Sequence, residues 1–137
     1  MTLSEAQRRS SDAALAVIRQ LLDAFNALDT QAVASLLSDD VEWHEIGRAE
    51  PIIGTAALRE RMMGAGKPEW DITGGDVHDV IGGDDHTVAL LTAHAVWGDK
   101  SIDYKVAELF HIRDGKITAR WAMSDDTEAI NNFFKGT

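Results

Sequence analysis

Two glutamates occupy strand positions at which the surrounding pattern is apolar, and a pair of enclosed carboxyl groups can do acid–base chemistry. In the segment DYKVAELFHI, Glu108 shares its side of the predicted strand with Tyr104 and Phe110, because alternate side chains of a strand point to opposite faces. By the same alternation, Glu45 shares a side with Trp43. Desolvation favours the protonated form of a carboxyl group, so one of the two could donate a hydrogen bond while the other acts as a base.

Each glutamate also has a purely structural interpretation. Glutamate is among the residues least often fully buried without a partner, and either one could be paired with Arg59, Arg61 or Arg120 and have no catalytic role. The mid-strand position of Glu108 favours a residue that lines a pocket. Glu45 lies near a strand end, where both interpretations remain open.

Further candidates for the site follow from side-chain chemistry. Tyr104 could supply a phenolic hydrogen-bond donor from the strand of Glu108. His94, in the segment LLTAHAVW, is either a hydrogen-bonded core residue or a second base. Aromatic and apolar side chains on the predicted inward faces could form walls for a ring-shaped ligand. These ligand-binding candidates are Phe25, Trp43, Val106, Phe110 and Trp121.

The elements that must position these residues can be predicted from the spacing of apolar residues. Intervals of three and four predict a long helix from about Ser4 to Leu28, and shorter helices are predicted from the caps Thr30 and Thr55 and around Ile130 to Phe134. A period of two predicts strands at Val41 to Ile46, Trp70 to Ile81, Thr87 to Trp97, Asp103 to Ile112 and Lys116 to Met123. The predicted inward side of the last strand consists of Ile117, Ala119, Trp121 and Met123. Helices followed by a curved antiparallel sheet make an α+β fold, in which the long helix covers the concave face and leaves a pocket.

Composition excludes several classes of function. The 137 residues contain no repeat or linker and fit one domain, and a net charge of −10 without a basic cluster makes nucleic acid and anionic membrane poor partners. There is no cysteine, and no stretch approaches the ~20 apolar residues of a membrane-spanning helix. Neither a metal-ligand motif nor a phosphate-binding glycine loop is present, so we expect no metal and no nucleotide cofactor. A soluble, cytoplasmic protein with a hydrophobic small-molecule partner is the expectation.

The chain contains the segments EIGRAEPIIGTAALRE, ELFHIRDGKI and AFNALDTQAVASLLSDDVEW. These three segments resemble the ketosteroid isomerases and their superfamily, which includes nuclear transport factor 2 and the SnoaL-like polyketide cyclases. EIGRAEPIIGTAALRE is similar to the segment that carries the general base, which the resemblance places at Glu45. ELFHIRDGKI resembles the strand that begins with a second, protonated acid, which corresponds to Glu108. AFNALDTQAVASLLSDDVEW is similar to the junction of the first two helices. The resemblance implies a cone-shaped α+β fold and a homodimer joined through the outer surface of the sheet.

The resemblance leaves the reaction open. It implies allylic isomerisation by proton abstraction next to a carbonyl, ring closure of the polyketide-cyclase type, or binding of an apolar ligand without chemistry. Leu21 stands where the isomerases have a tyrosine that binds the oxyanion, so Tyr104 would have to replace that donor. The C-terminal segment ITARWAMSDDTEAINNFF resembles the ending of the cyclases, and Trp121 and Asp125 fit that pattern.

Overall fold

The computed structural model describes residues 5–27, 29–63, 71–82 and 86–134. In chain order the elements are α1 (Glu5–Asn26), α2 (Thr30–Leu36), β1 (Leu37–Trp43), β2 (Ile52–Ile53), α3 (Thr55–Met63), β3 (Asp71–Gly82), β4 (Thr87–Trp97), β5 (Lys100–Arg113), β6 (Lys116–Ser124) and α4 (Thr127–Phe133). The predicted α+β architecture is confirmed. The predicted helix limits Ser4 and Leu28 and the predicted strand start Trp70 lie outside the described residues.

The strands form one six-stranded sheet in the order β2-β1-β6-β5-β4-β3. Strands β3 to β6 form the predicted antiparallel meander. β1 lies beside β6 and runs parallel to it, with Trp43 opposite Arg120, so the sheet is mixed and not purely antiparallel. This pairing brings the end of β1 next to the middle of β6.

Helix α1 covers the inner face of the sheet. Its residues Ile18 and Leu21 are fully buried and belong to the same hydrophobic core as Ala89 of β4 and Phe110 of β5. Burial of such side chains contributes roughly 1.5–3 kcal/mol each, so this contact is a main source of stability. The helix therefore covers the concave face of the sheet, as its amphipathic pattern predicts.

The last residue of α1 fixes the helix to the sheet. Asn26 Nδ2 donates to the carbonyl of Gly75 at 3.3 Å, and the Gly75 amide donates back to Asn26 Oδ1 at 3.1 Å. Two reciprocal bonds satisfy both backbone groups of Gly75 on that side of β3. The end of α1 thus has a defined position over the sheet.

The first turns of α2 and α3 differ from the predicted capping. The N-cap of α2 is Asp29, whose Oδ1 accepts a bond from the Ala32 amide at 3.1 Å, so Thr30 is the first helical residue. The Thr55 hydroxyl donates to the carbonyl of Ser38 at 2.7 Å. Thr55 therefore attaches α3 to β1, and does not act as the predicted cap.

A β-bulge in β6 changes which side chains point inward. Ile117 pairs with Ile112 of β5, but Ala119 pairs with His111, so Thr118 is an extra residue between two consecutive pairs. The Thr118 hydroxyl donates to the carbonyl of His111 at 3.4 Å. The inward and outward faces of β6 are exchanged at this point.

The predicted alternation of β6 is therefore right only for Ile117. After the bulge, Arg120 pairs with Phe110 and shares its inward face, while Trp121 pairs with Leu109 on the outer face. Met123 also faces outward and is 52% exposed. The bulge thus places a charged residue inside and an aromatic residue outside.

Candidate active site

The concave face of the sheet and the helices enclose a cavity of about 390 Å³. This volume lies within the usual range of small-molecule sites. Most of its wall is apolar and includes Leu22, Phe25, Trp43, Val106 and Phe134. Phe25, Trp43 and Val106 were predicted as ligand-binding residues, and all three line the cavity.

Two predicted wall residues lie elsewhere. Phe110 has the predicted inward orientation, but it is fully buried in the core and does not line the cavity. Trp121 faces outward and stacks on His44, with ring centroids 5.2 Å apart. Its predicted position in the wall is wrong because the bulge at Thr118 reverses the alternation.

Glu108 is the charged residue most deeply enclosed in the cavity. It points inward from β5, as predicted, and is 6% exposed. Both Nε and Nη2 of Arg120 lie 2.8 Å from Glu108 Oε2. Glu108 therefore both points inward and is paired with an arginine, as the two interpretations of the sequence suggested separately. Glu108 is thus the partner of a guanidinium group, whereas the resemblance implies an acid without a cation partner.

Arg120 is the main residue that the sequence analysis did not include in the site. Besides Glu108, its Nη1 donates to the carbonyl of His44 at 2.9 Å, and its guanidinium lies 4.7 Å above the ring of Trp43. Only 14% of its side chain is exposed. Three contacts, to Glu108 of β5, to Trp43 of β1 and to His44 directly after β1, hold the guanidinium in one orientation at the cavity wall. The sequence contained one signal for Arg120, namely that a buried Glu108 needs a cation as its partner.

Glu45 follows β1 and lines the same cavity. Arg61 of α3 donates from Nε to Glu45 Oε1 at 3.0 Å and from Nη2 to Oε2 at 3.4 Å. Arg48 Nε lies 3.9 Å from Oε1. Glu45 is thus less enclosed than Glu108, with 21% of its side chain exposed, and it also has an arginine partner.

Tyr104 supplies the predicted phenol. It points into the cavity from β5, four residues before Glu108, and its ring meets Phe134 edge-on at 6.2 Å. Burial raises the pKa of Tyr104 to about 12, and the nearby charge of Arg120 opposes this rise while Glu108 and Glu45 add to it. At neutral pH the phenol is therefore a hydrogen-bond donor.

Two other predicted catalytic residues do not reach the cavity. His94 lies on the outer face of β4, opposite Asp103, because its neighbour Ala93 faces inward. His94 is neither a core residue nor a base in the cavity: it contacts Asp103 at 2.6 Å and Asp76 at 3.1 Å. Asp125 is an exposed residue of the turn before α4 and does not line the cavity.

Leu21 is fully buried in the core and does not line the cavity, so the α1 position of the isomerase tyrosine supplies no donor here. In the part of the chain that the structure describes, no group of three or more histidine, aspartate or glutamate side chains could hold a metal ion. None of the described helices is both long and apolar enough to span a membrane.

Comparison with protein families gives one match, to the SnoaL-like domain, over residues 18–120. No protein of curated function matches the sequence significantly.

Solved structures include several with the same fold. Bal32a, from a soil-derived mobile gene cassette, is 19% identical with a TM-score of 0.78, over 92% of this chain and 99% of its own. A Mycobacterium tuberculosis epoxide hydrolase resembling limonene epoxide hydrolase is 21% identical with a TM-score of 0.71, over 92% of each chain. A Xanthomonas campestris protein provisionally assigned as a polyketide cyclase is 18% identical with a TM-score of 0.70, over 91% of this chain and 96% of its own. Identities this low show a shared fold only.

Proposed function

Because the chain belongs to the SnoaL-like domain family, we propose that it is a small-molecule enzyme that moves a proton within an apolar carbonyl compound. One observation carries this proposal. Glu45 and Glu108 line a mostly apolar cavity together with the hydrogen-bond donors Tyr104 and Arg120. Enolisation requires a general base, hydrogen-bond donors for the negative charge that develops on the carbonyl oxygen, and a site that excludes water.

Glu45 is the proposed base. Its carboxylate takes the proton from the carbon next to the carbonyl, and the electron pair of that C–H bond becomes part of a dienolate. The carboxyl group then returns the same proton to another carbon of the conjugated system, which completes an allylic isomerisation without any co-reactant. General base catalysis of this kind contributes about 100- to 10,000-fold to a rate.

Tyr104 and Arg120 are the proposed partners of the dienolate oxygen. The guanidinium of Arg120 has five N–H groups, and its contacts with Glu108 and His44 use at most three of them. As far as the described residues show, at least two N–H groups therefore remain to bind a ligand. Glu108 then acts as a positioning residue, since it orients the guanidinium before substrate arrives. Donors that are fixed in advance cost no reorganisation when negative charge develops on oxygen.

Two alternatives use the same cavity. Ring closure of the polyketide-cyclase type needs the same base and oxygen donors and differs in the substrate. Binding of an apolar ligand without chemistry is favoured by the contact between Glu45 and Arg61, because that contact already occupies the carboxylate that would have to act as the base.

The test of the isomerase proposal is the conjugation of a β,γ-unsaturated cyclic ketone, followed by ultraviolet absorbance. We expect Glu45→Gln to lower kcat by about 100-fold or more. The matched control is Glu42→Gln, since Glu42 is on the opposite face of β1 and contacts His44; its kcat should equal that of the wild type. Absence of turnover in the wild type, or equal rates for Glu45→Gln and the wild type, contradicts the proposal.

A further inference from the structure

The charge of the cavity is opposite to that of the chain. Four of the eight arginines line it, together with three carboxylates, whereas the whole chain has a net charge of −10. The arginines are Arg48, Arg59, Arg61 and Arg120, and the carboxylates are Asp29, Glu45 and Glu108. No lysine is among the lining residues in the part of the chain that the structure describes. A positively charged cavity in an acidic chain indicates a ligand that carries negative charge.

Three of the four arginines are more exposed than Arg120, whose side chain is 14% exposed. Arg48, in the turn after β1, has 42% of its side chain exposed, and Arg59 of α3 is also exposed. Arg61 is the third of this group, with 20% of its side chain exposed, and it contacts Glu45. We call Arg48, Arg59 and Arg61 the arginine rim. Apolar residues such as Leu22, Leu91 and Val106 form the wall beyond the rim.

We propose that the ligand of this cavity is an amphipathic carboxylic acid, whose carboxylate binds the arginine rim while its apolar body occupies the wall. Guanidinium groups match the geometry of a carboxylate and bind it through paired N–H donors. Acidic residues more than about 8–10 Å from the rim do not prevent this, because charges at such distances are largely screened at physiological salt. The inference shares its cavity with the proposed function, but it concerns binding and does not require turnover.

Under this proposal, Glu45 also affects the affinity of the cavity for an acidic ligand. Its carboxylate lies against Arg61 at 3.0 Å and near Arg48 at 3.9 Å, so it competes with a ligand carboxylate for the same cations. Glu45→Gln should therefore increase the affinity for an acidic ligand while it removes the proposed base. A residue that served only to bind the ligand would show the opposite sign.

The test compares two probes of the same shape, 2-naphthylacetate and its neutral amide, by isothermal titration calorimetry on the full chain. We expect the acid to bind about tenfold more tightly than the amide at about 50 mM salt, from several partly exposed ion pairs. The advantage should fall by about threefold or more at about 500 mM salt, because the rim is accessible to ions.

Substitutions test whether the arginine rim causes the preference for the acid over the amide. Arg59→Gln should reduce the preference for the acid and leave the affinity for the amide unchanged. The matched control is Arg113→Gln, an exposed arginine at the end of β5 that does not line the cavity; it should bind both probes as the wild type does. Glu45→Gln should bind the acid more tightly than the wild type.

The results separate this inference from the proposed function. Equal or weaker binding of the acid than of the amide, an acid preference that Arg59→Gln leaves intact, or no binding of either probe at millimolar concentration overturns the inference. Turnover of a neutral ketone without an acid preference rejects only this inference. An acid preference without turnover rejects only the isomerase.

Discussion

Each of the two glutamates in the cavity has an arginine within hydrogen-bonding distance. Glu108 contacts Arg120 and Glu45 contacts Arg61. These pairs differ in burial, since the side chains of the first are 8% and 14% exposed and those of the second about one fifth exposed. The first pair is therefore the one whose disruption should affect stability most.

We expect Glu108→Leu to destabilise the fold by about 3–5 kcal/mol, because it leaves the buried guanidinium of Arg120 without its counter-charge. The double variant Glu108→Leu, Arg120→Met should recover most of this loss, since buried ion pairs often contribute no net stability relative to apolar residues of similar size. Denaturant unfolding of the wild type, the single and the double variant measures both values. A double variant as unstable as the single one contradicts this account.

His94 provides a pH-dependent contribution on the outer face. Hydrogen bonds to Asp103 and then to Asp76 raise the pKa of His94 above its ordinary 6.5. The stabilisation is present in full below pH 6.5 and is lost as the pH rises through the folded-state value. His94→Gln should therefore lower the free energy of unfolding more at about pH 6 than at about pH 9.

Asp103→Asn is the control for His94, because Asp103 is the largest cause of the raised pKa. Asp103→Asn should therefore also lower the free energy of unfolding more at about pH 6 than at about pH 9, by most of the amount that His94→Gln does. Unfolding curves of the wild type and both variants at the two pH values provide the measurement. A stability difference for His94→Gln that is the same at both pH values counts against the proposed role of the two aspartates.

Among the elements, the turn after β1 and helix α4 have to fit closely together. Gly47 has a φ of 75°, and a Cβ at this position would overlap the side-chain amide of Asn131 in α4. Ile130 and Phe134, on α4 and directly after it, line the cavity. The position of α4, and with it one wall of the cavity, therefore depends on a glycine in this turn.

Gly47→Ala and Gly115→Ala form a matched pair. Both glycines have a φ of 75°, but nothing lies within 4 Å of a Cβ at Gly115. Gly115→Ala should cost about 1 kcal/mol from backbone strain alone, and Gly47→Ala about 1–3 kcal/mol more from the displaced Asn131. Denaturant unfolding gives these values, and ligand titration should show a change in affinity for Gly47→Ala only. Equal losses for the two variants would mean that the contact with α4 is unimportant.

For the molecule as a whole, the outer face of the sheet exposes three large apolar side chains. Ile81, Leu90 and Met123 are 53%, 36% and 52% exposed and all point outward from the sheet. The same face carries charges of both signs at Asp103 and Lys105. Exposed apolar surface with charges of both signs can bind a second copy of itself about a two-fold axis.

We therefore expect a homodimer through the outer face. Sedimentation velocity should give a dimer for the wild type and a monomer for Leu90→Lys combined with Met123→Lys, because each lysine would place a charge in an apolar contact. The control is Ala16→Lys on the exposed side of α1, which should remain a dimer. A monomeric wild type, or a dimer that the outer-face substitutions leave unchanged, contradicts this expectation.

The sequence by itself determined the order of the elements except for the two-residue strand β2, the limits of β4 and the inward face of β5. These features depend on the spacing of apolar residues within short segments, and such a signal is local. Glu108 and Tyr104 were therefore placed correctly inside the cavity.

Only the tertiary structure decided which cations meet the two carboxylates. Arg120 points inward because a bulge adds Thr118 to β6, and a bulge is defined by the pairing of two strands and not by either sequence alone. Arg61 reaches Glu45 from a helix 16 residues away. The role of Glu108 thus changed from a solitary acid to the partner of a fixed guanidinium, since a buried charge is compensated by residues that folding brings to it.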